Sequence, residues 1–395
     1  MTRLAWLDAL RGHAAVVVAL FHLSPVIIGS AAHLEIYRAF DAGKYAVLLF
    51  FLVSGYVIPM SLERHGSLRR FWLGRLARIY PAYLVTIALA AALAAAGLYR
   101  LPDQLRTETT ASVLAHATML QDLLGVRGIV RPFWTLSFEM LFYLLVAALF
   151  AVRLHRLSAC WAAGLAAVAV LAGDGLPDGL LAGDAAARRW SAAVVLVVVA
   201  AVVTTYMIGR NGLALGAAAV SLGLILLAMA NGHASRWVTS GSSAQALTML
   251  AVMFAGSVIY RAQHRQIGRI AASLALAGVA ASVVDQFGVP VALGTAGSFG
   301  IAFALRHRAV PGVLTWLGTV SYSLYLLHLL VLGILVRFTE NRALIVIGFA
   351  TGTLLAAWLC YRFVERPGQR LPSAFLATQG ETTRTGSFGK QRESV

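Results

Sequence analysis

Long apolar runs separated by short polar joints make up nearly the whole chain. Twelve runs stand out, near 7–28, 44–62, 76–98, 133–152, 157–173, 190–208, 212–230, 243–260, 266–286, 289–305, 314–336 and 343–364. Each is close to the length of helix that crosses roughly 30 Å of hydrocarbon. The runs are continuous, whereas the strands of a membrane barrel alternate apolar and polar positions. They therefore predict an all-α, polytopic transmembrane helix bundle of about 10–12 spans. The weakest runs are 157–173, which is short, and 266–286 with 289–305, joined by the minimal turn Phe287-Gly288.

Composition strengthens this reading. Of 395 residues, 59% are hydrophobic and only 12% charged, with mean hydropathy +0.79. A soluble domain is nearer half apolar and a quarter charged. The net charge of +16 would suggest nucleic acid in a soluble protein. Here the arginines sit between the runs, where topology and anionic lipid account for them, and a nucleic-acid role is excluded. With the N-terminus inside, the cytoplasmic joints receive Arg64, Arg69, Arg70 and Arg75, then Arg153 and Arg156, Arg210, Arg261, Arg265 and Arg269, Arg306 and Arg308, and Arg362, Arg366 and Arg370. The outer joints hold fewer, so both termini are expected in the cytoplasm, with the protein in the inner (cytoplasmic) membrane.

The remaining segments change the picture little. Residues 1–372 form one membrane domain, and 373–395, rich in Thr, Gly, Ser and charge, read as a disordered cytoplasmic tail. In the outer loop Tyr99–Arg131, the stretch Thr107–Leu124 is expected to lie as an amphipathic helix along the interface. Cys160 and Cys360 both fall within apolar runs, so no disulfide framework is implied, and no metal-ligand spacing occurs. No internal repeat and no appended soluble domain is found.

The candidate chemistry is concentrated in the first run, which carries Asp8, Arg11, His13 and His22. Those charges also exclude a cleaved signal peptide. A charge near the middle of a membrane helix costs at least about 2.5 kcal/mol, so such residues face a protein interior or a wet cavity. Arg11 and His22 are eleven positions apart, three turns plus about 20°, and so leave one helix face about 16 Å apart along the axis. A cation near one membrane surface thus stands in line with a mid-bilayer imidazole. Imidazole is the side chain suited to general-base work near neutral pH, and the competing reading is a structural histidine bonded to a neighbouring helix. His13, one turn from the cytoplasmic end, is read as structural.

Further along, Arg75 and Arg78 occupy neighbouring positions of one helical face. They suit either phosphate recognition or plain topological anchoring. Glu139 would orient an imidazole or hold an arginine. Ser321, Tyr325 and His328 form a polar stripe at i, i+4 and i+7 on an otherwise apolar helix, which points to the bundle interior.

Taken together, these stretches resemble acyltransferase family 3, the integral-membrane O-acyltransferases. Asp8-Ala9-Leu10-Arg11-Gly12 followed by His22 is similar to the family's Arg-x10-His signature. Phe50 through Tyr56, Arg75-Leu76-Ala77-Arg78-Ile79-Tyr80-Pro81, Trp134 through Glu139 with Phe142-Tyr143, Ser321 through His328, and Glu365-Arg366-Pro367 match five further motifs in order. The resemblance implies a catalytic His22 and Glu139, and an acyl-CoA site drawn from Arg11, Arg75, Arg78, Ser321, Tyr325 and His328. It implies acyl-CoA, with acetyl-CoA first, as co-substrate rather than a bound cofactor. The implied acceptor is a hydroxyl of a surface polysaccharide, a lipopolysaccharide or a glycosylated metabolite. Glu365-Arg366-Pro367 is expected to close the last helix in a structural role. A secondary transporter is the alternative, but neither an inverted repeat nor a matched pair of broken helices supports it. Homo-oligomerisation is left open.

Overall fold

A computed structural model describes residues 4–181, 183–209, 211–230 and 240–371. Arg210 and the tail at 373–395 lie outside the described residues. In chain order the helices are α1 (Ala5–Ile28), α2 (Ser30–Ala39), α3 (Ala42–His65), α4 (Leu68–Ala95), α5 (Asp103–Thr107), α6 (Thr109–Thr118), α7 (Trp134–Ala151) and α8 (Ser158–Ala172). They continue with α9 (Ala185–Ile208), α10 (Asn211–Gly223), α11 (Leu227–Ala230), α12 (Ser243–Gln263), α13 (Arg269–Phe287), α14 (Val289–Ala304), α15 (Gly312–Phe338) and α16 (Arg342–Cys360). All twelve apolar runs are helical, and the chain is a polytopic membrane helix bundle.

Eleven of these segments are long and apolar enough to cross a membrane, and α14 is shorter. Helix direction decides its status. Gly12 of α1 lies against Gly318 of α15, and ten residues further along both helices His22 lies against His328. The two helices therefore run the same way. Eight long segments between them would make them antiparallel; a ninth, α14, makes them parallel. The pairing of α3 with α12 obeys the same parity, with Gly55 against Gly256 and Glu63 bonded to Arg261. Twelve crossings result.

Close approach at these two seams needs glycine. A methyl group on Gly318 would fall 2.0 Å from the Asp8 carbonyl oxygen, and one on Gly55 only 1.7 Å from that of Met253. Small residues let backbones meet where apolar burial alone cannot drive association, because lipid is as apolar as leucine. Around this core α7 and α12 are buried along most of their length. Apolar side chains such as Leu171, Leu274 and Val197 point outward, the surface a bilayer solvates.

The chain turns that share a predicted side also share an end. Gly66 to Arg69, Arg153, His155, Arg156 and Gly209 line one recess. At the opposite end Arg188 binds Glu108 through two 2.7 Å contacts, joining α9 to the outer loop.

Three expectations change. The interfacial helix stops at Thr118, because Met119 adopts φ 59 and turns the chain inward. Residues 120–124 are then wholly buried against the bundle. The joint after the first run, expected as a short polar link, folds as the ten-residue α2. Pro367 does not close the last helix. A π turn over Tyr361–Glu365 precedes it and the helix runs on to Leu371, the wider turn accommodating a residue that has no N–H to give.

Candidate active site

The parallel packing of α1 and α15 brings two imidazoles together. His22 Nδ1 lies 3.0 Å from the Val18 carbonyl oxygen on its own helix and 3.1 Å from His328 Nε2. His328 is wholly buried, and its Nδ1 lies 3.2 Å from the Leu324 carbonyl oxygen. His22 Nε2 has no hydrogen-bond partner among the described residues, and its ring lines a cavity of about 380 Å³. That volume falls within the range of small-molecule sites, about 300–1,000 Å³.

The cavity is walled by Phe21, His33, Tyr37, Lys44, Arg131 and Trp134, among others. Helix α2 supplies His33 and Tyr37, and His33 Nδ1 bonds Ser24 Oγ at 2.6 Å. Asp41 caps α3 by accepting the Lys44 N–H at 2.8 Å. The Lys44 ammonium sits 4.6 Å above the Trp134 ring. This cavity lies toward the end of the bundle that carries α2 and the start of α3.

A second cavity, about 70 Å³, lies on the other side of Tyr325. Its lining includes Arg11, Arg75, Arg78, Glu139 and Ser321, three guanidiniums against one carboxylate. Arg11 is 3.9 Å from Asp8. The Arg75 guanidinium rests against Phe71 and Tyr143 at about 5.5 Å from each ring. The turn-by-turn spacing that placed Arg75 and Arg78 on one face is what aims both inward. Pro81, one turn on, leaves the Ala77 carbonyl without an in-helix donor, and Gly368 packs against it.

Val47 and Tyr325 line both cavities. The Tyr325 hydroxyl donates to the Pro132 carbonyl at 3.0 Å and meets the Thr135 hydroxyl at 2.9 Å. It stands as the partition between the cationic cavity and the imidazole cavity.

The predicted residues thus fall into two groups. Arg11, Arg75, Arg78, Glu139 and Ser321 gather at one cavity and His22 at the other, with His328 buried behind His22 and Tyr325 between the cavities. Glu139 does not reach His22. It accepts a hydrogen bond from Tyr143 at 2.5 Å, one turn further along α7, and lines the same cavity as Arg11, Arg75 and Arg78 without a salt bridge to any of them among the described residues. The partner that sequence reasoning sought for His22 in a carboxylate is instead His328. Glu365 is buried and accepts from Ser323 at 2.9 Å and Gln369 at 3.0 Å, a structural anchor. His13 bonds Tyr45 at 2.8 Å, away from both cavities. Sequence reasoning missed His33, Tyr37, Lys44, Arg131 and Trp134 as cavity residues. The signal for His33, Tyr37 and Lys44 is a cluster of polar residues directly after the His22 helix, whereas Arg131 and Trp134 arrive from the start of α7.

A family model described as an acyltransferase domain matches residues 4–362. The chain belongs to acyltransferase family 3. Membership of that family weighs against the transporter alternative. The acyltransferase MdmB of Streptomyces mycarofaciens is 32% identical over 108 residues, 26% of this chain and 27% of that protein. The match thus spans about a quarter of that curated relative. No solved structure matches this acyltransferase.

Proposed function

We propose that this acyltransferase moves an acyl group, acetyl in the first instance, from cytoplasmic acyl-CoA to a hydroxyl of a carbohydrate-containing acceptor. It would do so in the inner membrane, with residues 1–372 acting as one catalytic domain. The observation that carries this reading is the alignment along α1 of a cationic cavity and an imidazole cavity, separated by one tyrosine. Guanidinium forks match phosphate oxygens. Arg11 and His22 are separated by about 16 Å of helix, comparable to an extended pantetheine arm. Phosphates held at Arg11, Arg75 and Arg78 would bring the thioester to the partition.

The acceptor would occupy the 380 Å³ cavity, whose aromatic and polar walls suit a sugar-sized group. His22 Nε2 takes the proton from the acceptor hydroxyl as its oxygen attacks the thioester carbonyl. The tetrahedral intermediate then collapses, the C–S bond breaks, and the departing thiolate recovers the proton from His22. Negative charge on the carbonyl oxygen needs donors. Tyr325 is the hydroxyl at the partition and can turn from the Pro132 carbonyl to serve. Glu139 would hold the arginines in register and keep them apart.

The test is turnover of acyl-CoA by purified protein carrying His22→Gln. Folding and donor binding should persist while turnover falls at least about a hundredfold, the scale of general-base catalysis. Near wild-type turnover would make His22 structural. Mass spectrometry of surface glycans and secreted glycosides, with and without the gene, then identifies the acceptor.

A further inference from the structure

The hydrogen bonds around the two imidazoles fix where their protons are. Carbonyl oxygens only accept, so the contact between His328 Nδ1 and the Leu324 carbonyl places a proton on that nitrogen. In the neutral ring His328 Nε2 is then a bare acceptor. His22 Nδ1 faces two acceptors, the Val18 carbonyl at 3.0 Å and His328 Nε2 at 3.1 Å. It must carry the proton and share it between them. Only His22 Nε2 is left with a lone pair, and it has no partner among the described residues while its ring lines the larger cavity.

We infer that His328 is the positioning residue of this enzyme: it holds His22 in the Nδ1–H tautomer with Nε2 free to act as base, in the place where a carboxylate commonly stands. This inference rests on His22 being the base. It also explains why Glu139 can stay at the arginines. A buried carboxylate beside His22 would be an ionised group near mid-bilayer with its own desolvation cost, whereas a neutral imidazole supplies the acceptor without a charge. When Nε2 takes the acceptor's proton, the Nδ1 proton is still bonded to His328 Nε2, and the two rings share the single positive charge.

Register, rather than local sequence, creates the pair. Gly12 and Gly318 set the height at which α1 and α15 meet, and ten residues later on each helix the rings coincide.

The experiment compares two amides at position 328 in the purified full-length enzyme. The amide of His328→Gln can put its oxygen where Nε2 stood and accept from His22. The shorter amide of His328→Asn can keep the bond to the Leu324 carbonyl but cannot reach His22. His328→Asn should lose at least about a hundredfold in kcat, as triads with a wrong tautomer do, with KM for acyl-CoA within about twofold of wild type. His328→Gln should recover about tenfold or more of that loss. If both variants turn over near the wild-type rate, or both fall equally with KM rising alongside, His328 only packs and the inference fails. His22→Gln measured in parallel separates the two ideas. Activity retained there defeats the base assignment, whereas activity lost there but kept in His328→Asn defeats the positioning role alone.

Discussion

At the scale of single residues, the arginines carry the sharpest prediction. Arg75 and Arg78 line the smaller cavity without a carboxylate within salt-bridge distance among the described residues, and Arg75 is braced by two aromatic rings. If they hold donor phosphates, Arg75→Ala and Arg78→Ala should each weaken acyl-CoA binding by about 1.5–3 kcal/mol, the usual worth of a charge-assisted bond. Lysine at either position should restore only part, since an ammonium lacks the planar fork. Equilibrium binding of a non-hydrolysable acyl-CoA to folded protein measures this, and unchanged affinity in both alanine variants would leave them as topological anchors. These residues were legible in the sequence because ionisable groups in apolar runs are costly and therefore conspicuous. The partner of each was not. Glu139 bonds Tyr143 one turn along its own helix and reaches the arginines' cavity only through the packing of α7 against remote helices, and His22 meets His328 across 306 residues of chain.

At the scale of elements, the apolar runs were legible because hydropathy is a local property and a bilayer imposes one length. The outer loop was not. From Met119 the chain leaves the helical path and packs inward, and His116 holds the segment in place. Its Nδ1 donates to the Ser112 carbonyl at 2.7 Å, and its Nε2 accepts the Ile129 N–H at 3.1 Å. Both bonds need the neutral ring, and burial lowers its pKa to about 4, partly offset by the Ser112 carbonyl. An unfolded loop would titrate near 6.5. Between those values the opened loop binds more protons, so its docking is fully stabilised above the upper value and loses stability as pH falls toward the lower. The span is worth on the order of 3 kcal/mol. Hydrogen exchange of the 119–130 amides, corrected for intrinsic rates, should therefore show protection falling from about pH 7.5 to about pH 5. His116→Gln should remove that pH dependence. Protection that is flat with pH in the wild type would mean His116 carries no such weight.

At the scale of the whole molecule, the fold class came from composition and the crossing number came from helix direction. With the eleven long segments all crossing, the parallel seam between α1 and α15 requires the short α14 to cross as well, and the parallel seam between α3 and α12 fits the same count. Twelve crossings return the chain to its starting side, and the arginine bias assigns that side to the cytoplasm. The assignment is testable in a background with Cys160 and Cys360 replaced by serine. Ser67→Cys should resist an impermeant thiol reagent applied to intact cells, and Thr107→Cys should react. Labelling of Ser67→Cys from outside would invert the orientation and move the arginine cavity away from cytoplasmic donors.

The meeting of His22 with His328 has a consequence for how the enzyme is made. The two rings are 306 residues apart in the chain. At about 5–20 residues per second, a ribosome needs about 15–60 s after adding the first histidine to add the second. Through that interval the arginines of α1 and α4 are already in the membrane, beside a cytoplasm rich in thioesters, while the ring that fixes the proton on His22 does not yet exist. On the proposed mechanism, a chain stalled or clipped before α15 would lack the ring that positions His22, and completion of that crossing would be what switches the molecule on.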